Sequence, residues 1–274
     1  MRLRVITAAI LLGFWLPAGL WLSPTWFMLA ILVALAWTLK EWADLLNLPA
    51  GPRWAAPLFL LALLLPILLD PFLNPWDFAA WLLLPACLVW LLLMGVSMWR
   101  VGSPRGWMGL FYALLFCVAC FLAIWLARLE GLGFLLSVLL LVWIADTAAY
   151  FSGRLIGGAK LAPRVSPGKT WAGVGGAMLG NLVYAWVSGI YWDASWAAFL
   201  LDQAGLVYLL VATVVITGIS VVADLHQSLL KRQANVKDSG WILPGHGGVF
   251  DRVDALLAVV PFSVVFFAAS MGRS

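Results

Sequence analysis

LVYLLVATVVITGISVVA, residues Leu206–Ala223, runs without a break into DLHQSLLKRQANVKDSGWILPGHGGVFDRVD, residues Asp224–Asp254. The first segment carries no charge. At 1.5 Å per residue it is long enough to cross most of a hydrocarbon core ~30 Å thick. The second holds four of the chain's 12 acidic residues, four of its 16 basic residues and both histidines. Composition this polar, so close to a bilayer, is costly and is usually kept for chemistry. The pair of segments therefore describes a membrane helix that delivers a polar loop to the membrane surface.

The rest of the chain repeats the first half of that pattern. Val5–Leu22 and Ala79–Trp99 are also uncharged, and the 274 residues are 65% hydrophobic with a mean hydropathy of +1.04. The strands of a β-barrel would alternate polar and apolar positions; these runs are continuously apolar. The expected fold is all-α, a polytopic integral membrane protein of about nine transmembrane helices with its N-terminus in the cytoplasm. The helices are expected near 5–22, 26–39, 54–69, 78–99, 107–127, 132–151, 171–192, 206–230 and 254–271. Arg2 and Arg4 before an apolar run resemble a signal peptide, but no small-residue cleavage site follows, so a retained first helix is expected. Residues 1–130 read as N-terminal transmembrane helices. Residues 131–274 read as the catalytic region, with cytoplasmic loops 152–170 and 231–253.

Positive charge tests that topology. One side receives Arg2, Arg4, Lys40, Arg53, Arg100, Arg105, Arg154, Lys160, Arg164, Lys169, Lys231, Arg232, Lys237 and Arg252; the other receives only Arg128 and Arg273. Cytoplasmic loops carry the excess of Lys and Arg, so both long polar loops fall on the cytoplasmic face. The net charge of +4 and pI near 9.1 follow from such loops facing an anionic leaflet, and no nucleic-acid partner is expected. Most of the 18 Trp suit membrane–water interfaces. Cys87, Cys117 and Cys120 lie in apolar runs and read as buried, inert thiols.

Several residues have chemistry available to them. Asp224, Ser228, Lys231 and Arg232 are spaced to share one helical face. Asp251 and Asp254 share another, and a loop folding back would bring three carboxylates together beside several cations. Such oxygens suit Mg²⁺, which binds through one or two carboxylates plus substrate phosphates; two such ions could clamp the oxygens of a phosphoryl transfer. The competing reading makes Asp251–Arg252 and Lys237–Asp238 solvated charges at a helix end. Gly245, Gly247 and Gly248 flank His246 and would let backbone N–H groups approach phosphate. His226 reads as helix packing. Gly168-Lys169-Thr170 is similar to the end of a P-loop, but Pro163 stands where the first glycine is required and no strand is expected before it, which excludes a Walker ATPase. What remains is a basic segment with Lys160, Arg164 and Lys169 entering a helix at Thr170, where N–H groups favour anions. Ala172, Gly176 and Gly180, spaced by four, indicate close helix packing. Asp146 lies about 9 Å inside its helix and reads as functional. Glu41 beside Trp42 fits an interfacial acid and a functional residue equally well.

Ser228-Leu-Leu-Lys231-Arg232, then Lys237-Asp238-Ser-Gly, then Leu243-Pro244-Gly245-His246-Gly247-Gly248-Val-Phe-Asp251-Arg252-Val-Asp254 resembles the signature of phosphatidate cytidylyltransferases. Asp146-Thr147-Ala-Ala-Tyr150, Gly153-Arg154, Lys160-Leu-Ala-Pro163 and Ser166-Pro167-Gly168-Lys169-Thr170-Trp171 are also similar to that family. Ala223 stands where the family often has Gly, and Ala172 where it often has Glu or Gln. The resemblance covers roughly residues 140–260; earlier residues match only in being apolar, apart from the Glu41-Trp42 pair.

That resemblance implies a nucleotidyltransferase: CTP and phosphatidate give CDP-diacylglycerol and pyrophosphate, with Mg²⁺ required and a second metal ion open. It implies metal ligands at Asp224, Asp251 and Asp254. Asp224, Lys231, Asp251 and Asp146 are the expected catalytic residues. Lys169, Ser166, Thr170, Ser228, Arg232, Lys237, Gly245, His246, Gly247, Gly248 and Arg252 are the expected substrate-binding residues. The expected setting is the bacterial inner membrane with the site facing the cytoplasm, among membrane lipids, and a homodimer is compatible with it. Two rivals stay open: a CTP-dependent enzyme with a polyprenol or other lipid acceptor, and an ion-coupled transporter using Asp146 and Asp224. The transporter should show repeated halves, whereas the charged motifs have no counterpart before residue 130.

Overall fold

The computed structural model describes residues 21–70, 73–242 and 247–272. The expected first helix, with Arg2 and Arg4, lies outside the described residues, as do Arg273 and residues 243–246, which include Gly245 and His246.

The chain enters α1 (Pro24–Leu45) through Ser23, whose Oγ accepts from the Trp26 N–H at 3.5 Å. Pro24 in the first turn has no N–H to leave unsatisfied there. Then follow α2 (Ala50–Leu69), α3 (Trp76–Arg100), α4 (Gly106–Glu130) and α5 (Leu132–Leu155). A short hairpin, β1 (Lys160–Ala162) with β2 (Ser166–Thr170), leads into α6 (Trp171–Tyr191) and α7 (Trp196–Gln233). The chain closes with α8 (Phe250–Val253) and α9 (Leu256–Ser270). Among the described residues eight helical segments are long and apolar enough to cross a membrane, with α8 and α9 counted as one. They correspond to the last eight of the nine expected.

Three boundaries differ from expectation. α1 continues through Leu45, so Lys40, Glu41 and Asp44 are helical and not part of a polar loop; Lys40 and Asp44, four residues apart, pair along it at 2.5 Å. α7 starts at Trp196, ten residues before the expected position, because the Ser195 hydroxyl caps Ala198 N–H at 3.0 Å and Gly205 bends the helix with φ 82° and ψ 176°. Residues 160–170 are not all loop: antiparallel pairing aligns Lys160 with Thr170 and Ala162 with Ser166. A strand therefore does precede α6, although Pro163 still denies the segment a P-loop.

One core runs through both halves of the chain. Phe121 from α4, Phe134 from α5, Trp196 from α7 and Phe267 from α9 are all fully buried in it, and the Trp196 indole N–H donates to Ser263 O at 2.9 Å. Cys87, Cys117 and Cys120 are free and buried. α5 and α6 pack closely where α6 carries small residues: a Cβ on Gly173, Gly176 or Gly180 would meet α5 atoms at 3.1 Å or less. A Cβ on Gly176 would strike Ser152 and sit 2.9 Å from Ala148 O, while one on Gly175 would meet nothing within 4 Å.

At one end of the bundle the polar segments meet. The hairpin seats Val165 against Leu225 and Leu229 of α7, and Arg232 Nε donates to Val165 O at 3.5 Å. The 101–105 turn is tied to the same end: Ser103 Oγ lies 2.8 Å from His226 Nε2, and Gln233 bonds both Ser103 and Arg105. His226 is thus a packing residue, as read from the sequence. Replacing Gly176 with Ala should overpack the α5–α6 contact and destabilise by about 1–3 kcal/mol. Gly175→Ala should leave stability equal or raise it; thermal unfolding in detergent compares the two.

Candidate active site

Three carboxylates lie near one another at the polar end. Asp146 of α5, Asp224 of α7 and Asp254, at the break between α8 and α9, lie within electrostatic reach of one another. Lys169 from the end of β2 stands among them and is ion-paired with Asp224. Arg252 acts on Asp146 from the same side. β2 and α6 are what deliver Lys169: the Thr170 hydroxyl accepts from Gly173 N–H at 3.1 Å, fixing where strand becomes helix.

Asp251 has different surroundings. Its Oδ1 accepts from Gln227 Nε2 at 3.0 Å and Lys231 Nζ at 2.7 Å, donors four residues apart on α7. Its Oδ2 accepts from Ser239 N at 2.8 Å, Ser239 Oγ at 3.0 Å and Gly248 N at 3.0 Å. Both oxygens are fully engaged, and the side chain is 5% exposed. The sequence expectation grouped Asp251 with Asp224 and Asp254; the structure gathers Asp224 and Asp254 with Asp146 and turns Asp251 toward α7 and the loop before α8.

The glycines also have another occupation here. Gly247 holds φ 79°, and a Cβ on it would sit 2.6 Å from Asp251 Oδ2. Gly248 has its N–H on Asp251, and a Cβ there would collide with Glu41 and Ser239. In this geometry both glycines serve close approach by carboxylates of the chain itself. Of the other expected contacts, Thr170 is buried and Ser166, Ser228 and Lys231 are partly buried, while Arg232, Lys237 and Arg252 are exposed at the same end.

Among the described residues no three His, Cys, Asp or Glu side chains form a ready-made metal cage. The donor chemistry nevertheless fits a hard cation. Mg²⁺ takes one or two carboxylates and completes its shell with phosphates and water, and Asp224 and Asp254 with Asp146 beside them offer that much. Asp251 would join such a shell only by releasing Lys231 or part of its loop.

The profile of the Cytidylyltransferase family matches residues 2–270. The chain belongs to that family. A phosphatidate cytidylyltransferase of Haemophilus influenzae is 49% identical over 138 residues, covering 50% of this chain and 46% of that protein. One from Pseudomonas aeruginosa is 34% identical over 283 residues, covering 99% of each. One from Brucella suis is 42% identical over 184 residues, covering 63% of this chain and 60% of that protein. The chain thus spans about half the length of the Haemophilus relative and nearly all of the Pseudomonas one.

For this cytidylyltransferase-family chain, the sequence reading missed Gln227 and Ser239, and left Glu41 undecided. Gln227 carried a usable signal, four residues before Lys231 on one helical stripe. Ser239 sat inside the quoted motif without a role. Glu41 has one partner on its own helix, Trp37, but the three that tie it to the site, Ser239, Val249 and Phe250, are roughly 200 positions away.

The two ion pairs should respond differently to mutation. Lys231→Met removes a hydrogen bond to a buried carboxylate and should destabilise by about 1.5–3 kcal/mol. Lys169→Met breaks a pair that is 25% and 36% exposed and should cost at most about 1 kcal/mol. Unfolding temperatures of both variants in detergent measure the contrast.

Proposed function

We infer that this chain, an integral membrane enzyme, transfers the cytidylyl group of CTP to phosphatidate and releases pyrophosphate. The observation that carries this reading is the meeting of Asp146, Asp224 and Asp254 with Lys169 at the polar end of an apolar bundle, in a chain of the cytidylyltransferase family. The lipid phosphate is already an oxyanion, so no strong base is needed to make the nucleophile. A phosphatidate oxygen bonds to the α-phosphorus of CTP, and the bond from that phosphorus to the bridging oxygen breaks as pyrophosphate leaves.

The obstacle is repulsion between two polyanions, which fixed cations reduce in a site shielded from bulk water. Lys169 and Arg252 stand at the carboxylate group, and Lys231, Arg232 and Lys237 surround the polar end. Each can donate to a phosphate oxygen. Asp224 and Asp254, with Asp146 beside them, are the residues that would hold Mg²⁺. When bound, that ion would neutralise phosphate charge and make the α-phosphorus more electrophilic. Asp251 keeps Lys231 and the Ser239–Gly248 loop in place beside them. Gly245 and His246 complete the proposed triphosphate turn.

The count of basic residues supports a cytoplasmic orientation, and the bacterial relatives support the inner membrane as the setting. The exposed side chains of Trp81, Leu92 and Tyr191 would lie against lipid, or in part against a second copy in a homodimer.

Purified protein given labelled CTP, phosphatidate and Mg²⁺ should form CDP-diacylglycerol. Product should vanish with EDTA and fall at least about 100-fold in Asp224→Ala. Turnover with a polyprenol and none with phosphatidate would keep the site and change the acceptor. Undiminished product in EDTA would remove the metal from the reading.

A further inference from the structure

Glu41 lies in α1, on the part of the chain without charged motifs, and is 3% exposed. Its carboxylate accepts from four groups. Oε1 takes Trp37 Nε1 at 2.9 Å and Val249 N at 3.1 Å; Oε2 takes Ser239 Oγ at 3.0 Å and Phe250 N at 2.9 Å. Three of the four donors belong to the polar segment around Asp251.

The backbone donors are informative. The first N–H groups of a helix have no partner within it, and a side chain at the N-cap normally supplies one. At α8 the N-cap is Val249, which has no such side chain. Glu41 provides the oxygens from a different helix, 208 and 209 positions away. α8 carries Asp251 and ends one residue before Asp254.

Further contacts make the fit specific. A Cβ on Gly240 or Gly248 would run into the Glu41 carboxylate, so the loop is shaped to that group from two sides. Ser239 Oγ lies 3.0 Å from both Glu41 Oε2 and Asp251 Oδ2; its one proton serves one carboxylate at a time and links their positions. Trp42 stacks on Phe250 at 4.9 Å between centroids and 13° between planes, holding the first turn of α8 from the apolar side.

We propose that Glu41 is a positioning residue for the transfer reaction: it caps α8 from α1, ties Ser239 to that turn, and so aims Asp251 and Asp254. This rests on the function proposed above. A group that only braced the fold would, when altered, loosen the bundle as a whole. A positioning group would, when altered, leave the bundle intact and displace the carboxylates, and displacements near 1 Å cost up to about 100-fold in rate.

Glu41→Gln keeps the size of the side chain but turns an amide N–H₂ toward groups that are themselves donors. The test uses the full chain in detergent with CTP, phosphatidate and Mg²⁺. The expected result is a kcat lower by about 10–100-fold with KM for phosphatidate unchanged. Hydrogen exchange should rise at Val249 and Phe250 and stay constant in α5 and α6. Wild-type kcat in Glu41→Gln would overturn the proposal, and so would a loss of kcat matched by faster exchange throughout the helices. Should Glu41→Gln fail to fold, Ser239→Ala decides: it removes one donor, leaves three, and should show the same pattern with a smaller fall in kcat. A Ser239→Ala protein with wild-type kcat would then sink the idea. Absence of product from the wild-type chain would instead be a failure of the proposed function, which the same assay reports separately.

Discussion

A carboxylate withdrawn from water has to be given donors, and the polar end of this protein is arranged around that requirement. Asp251 receives an ammonium, an amide, a hydroxyl and two backbone N–H groups. Glu41 receives an indole, a hydroxyl and two backbone N–H groups. Leaving a buried acceptor unmatched costs about 1–3 kcal/mol, more when it is charged. Ser239, Gly248, Val249 and Phe250 are therefore constrained by two carboxylates together. The loop needs glycine at 240, 247 and 248 because side chains there would occupy the space those carboxylates use.

The second carboxylate group has different surroundings. Asp146, Asp224 and Asp254 all lie near Lys169, and Arg252 is near Asp146. Asp224 has a cation, and Asp254 accepts only its neighbour's N–H at 2.8 Å among the bonds seen here. The aspartates that the sequence grouped together thus have two kinds of surroundings: Asp251, like Glu41, is supplied with donors from several segments, whereas Asp224 and Asp254 lie with Asp146 near Lys169.

Hydropathy made most of the fold legible, because a bilayer imposes length and apolarity on every span. It failed where local chemistry overrides composition. The stretch from Trp196 to Gly205 includes Asp202 and Gln203 and reads as a loop, yet Ser195 caps it and Gly205 joins it to α7. SPGKT reads as part of a cytoplasmic loop, yet it pairs with Lys160–Ala162. In the site, spacing placed Asp251 and Asp254 on one face. Three helical residues still leave their directions about 60° apart, which is enough to send one toward α7 and the other toward α5. Glu41 lay beyond any such reading, since periodicity within α1 says nothing about a partner on α8.

The division of the chain near residue 130, natural from the placement of motifs, does not divide the chemistry. The C-terminal part supplies the aspartates and lysines, but α8 is too short to hold its own position. Its four residues cannot complete even one set of internal hydrogen bonds beyond the first turn. What fixes it comes from α1: a carboxylate on its N–H groups and Trp42 against Phe250. α1 is itself held by the core it shares with α4 and α9. A displacement of the N-terminal helices would thus reach Asp251 through two hydrogen bonds and a ring stack. The apolar first half thus meets the polar end directly, through Glu41 and Trp42, as well as supplying membrane-length helices.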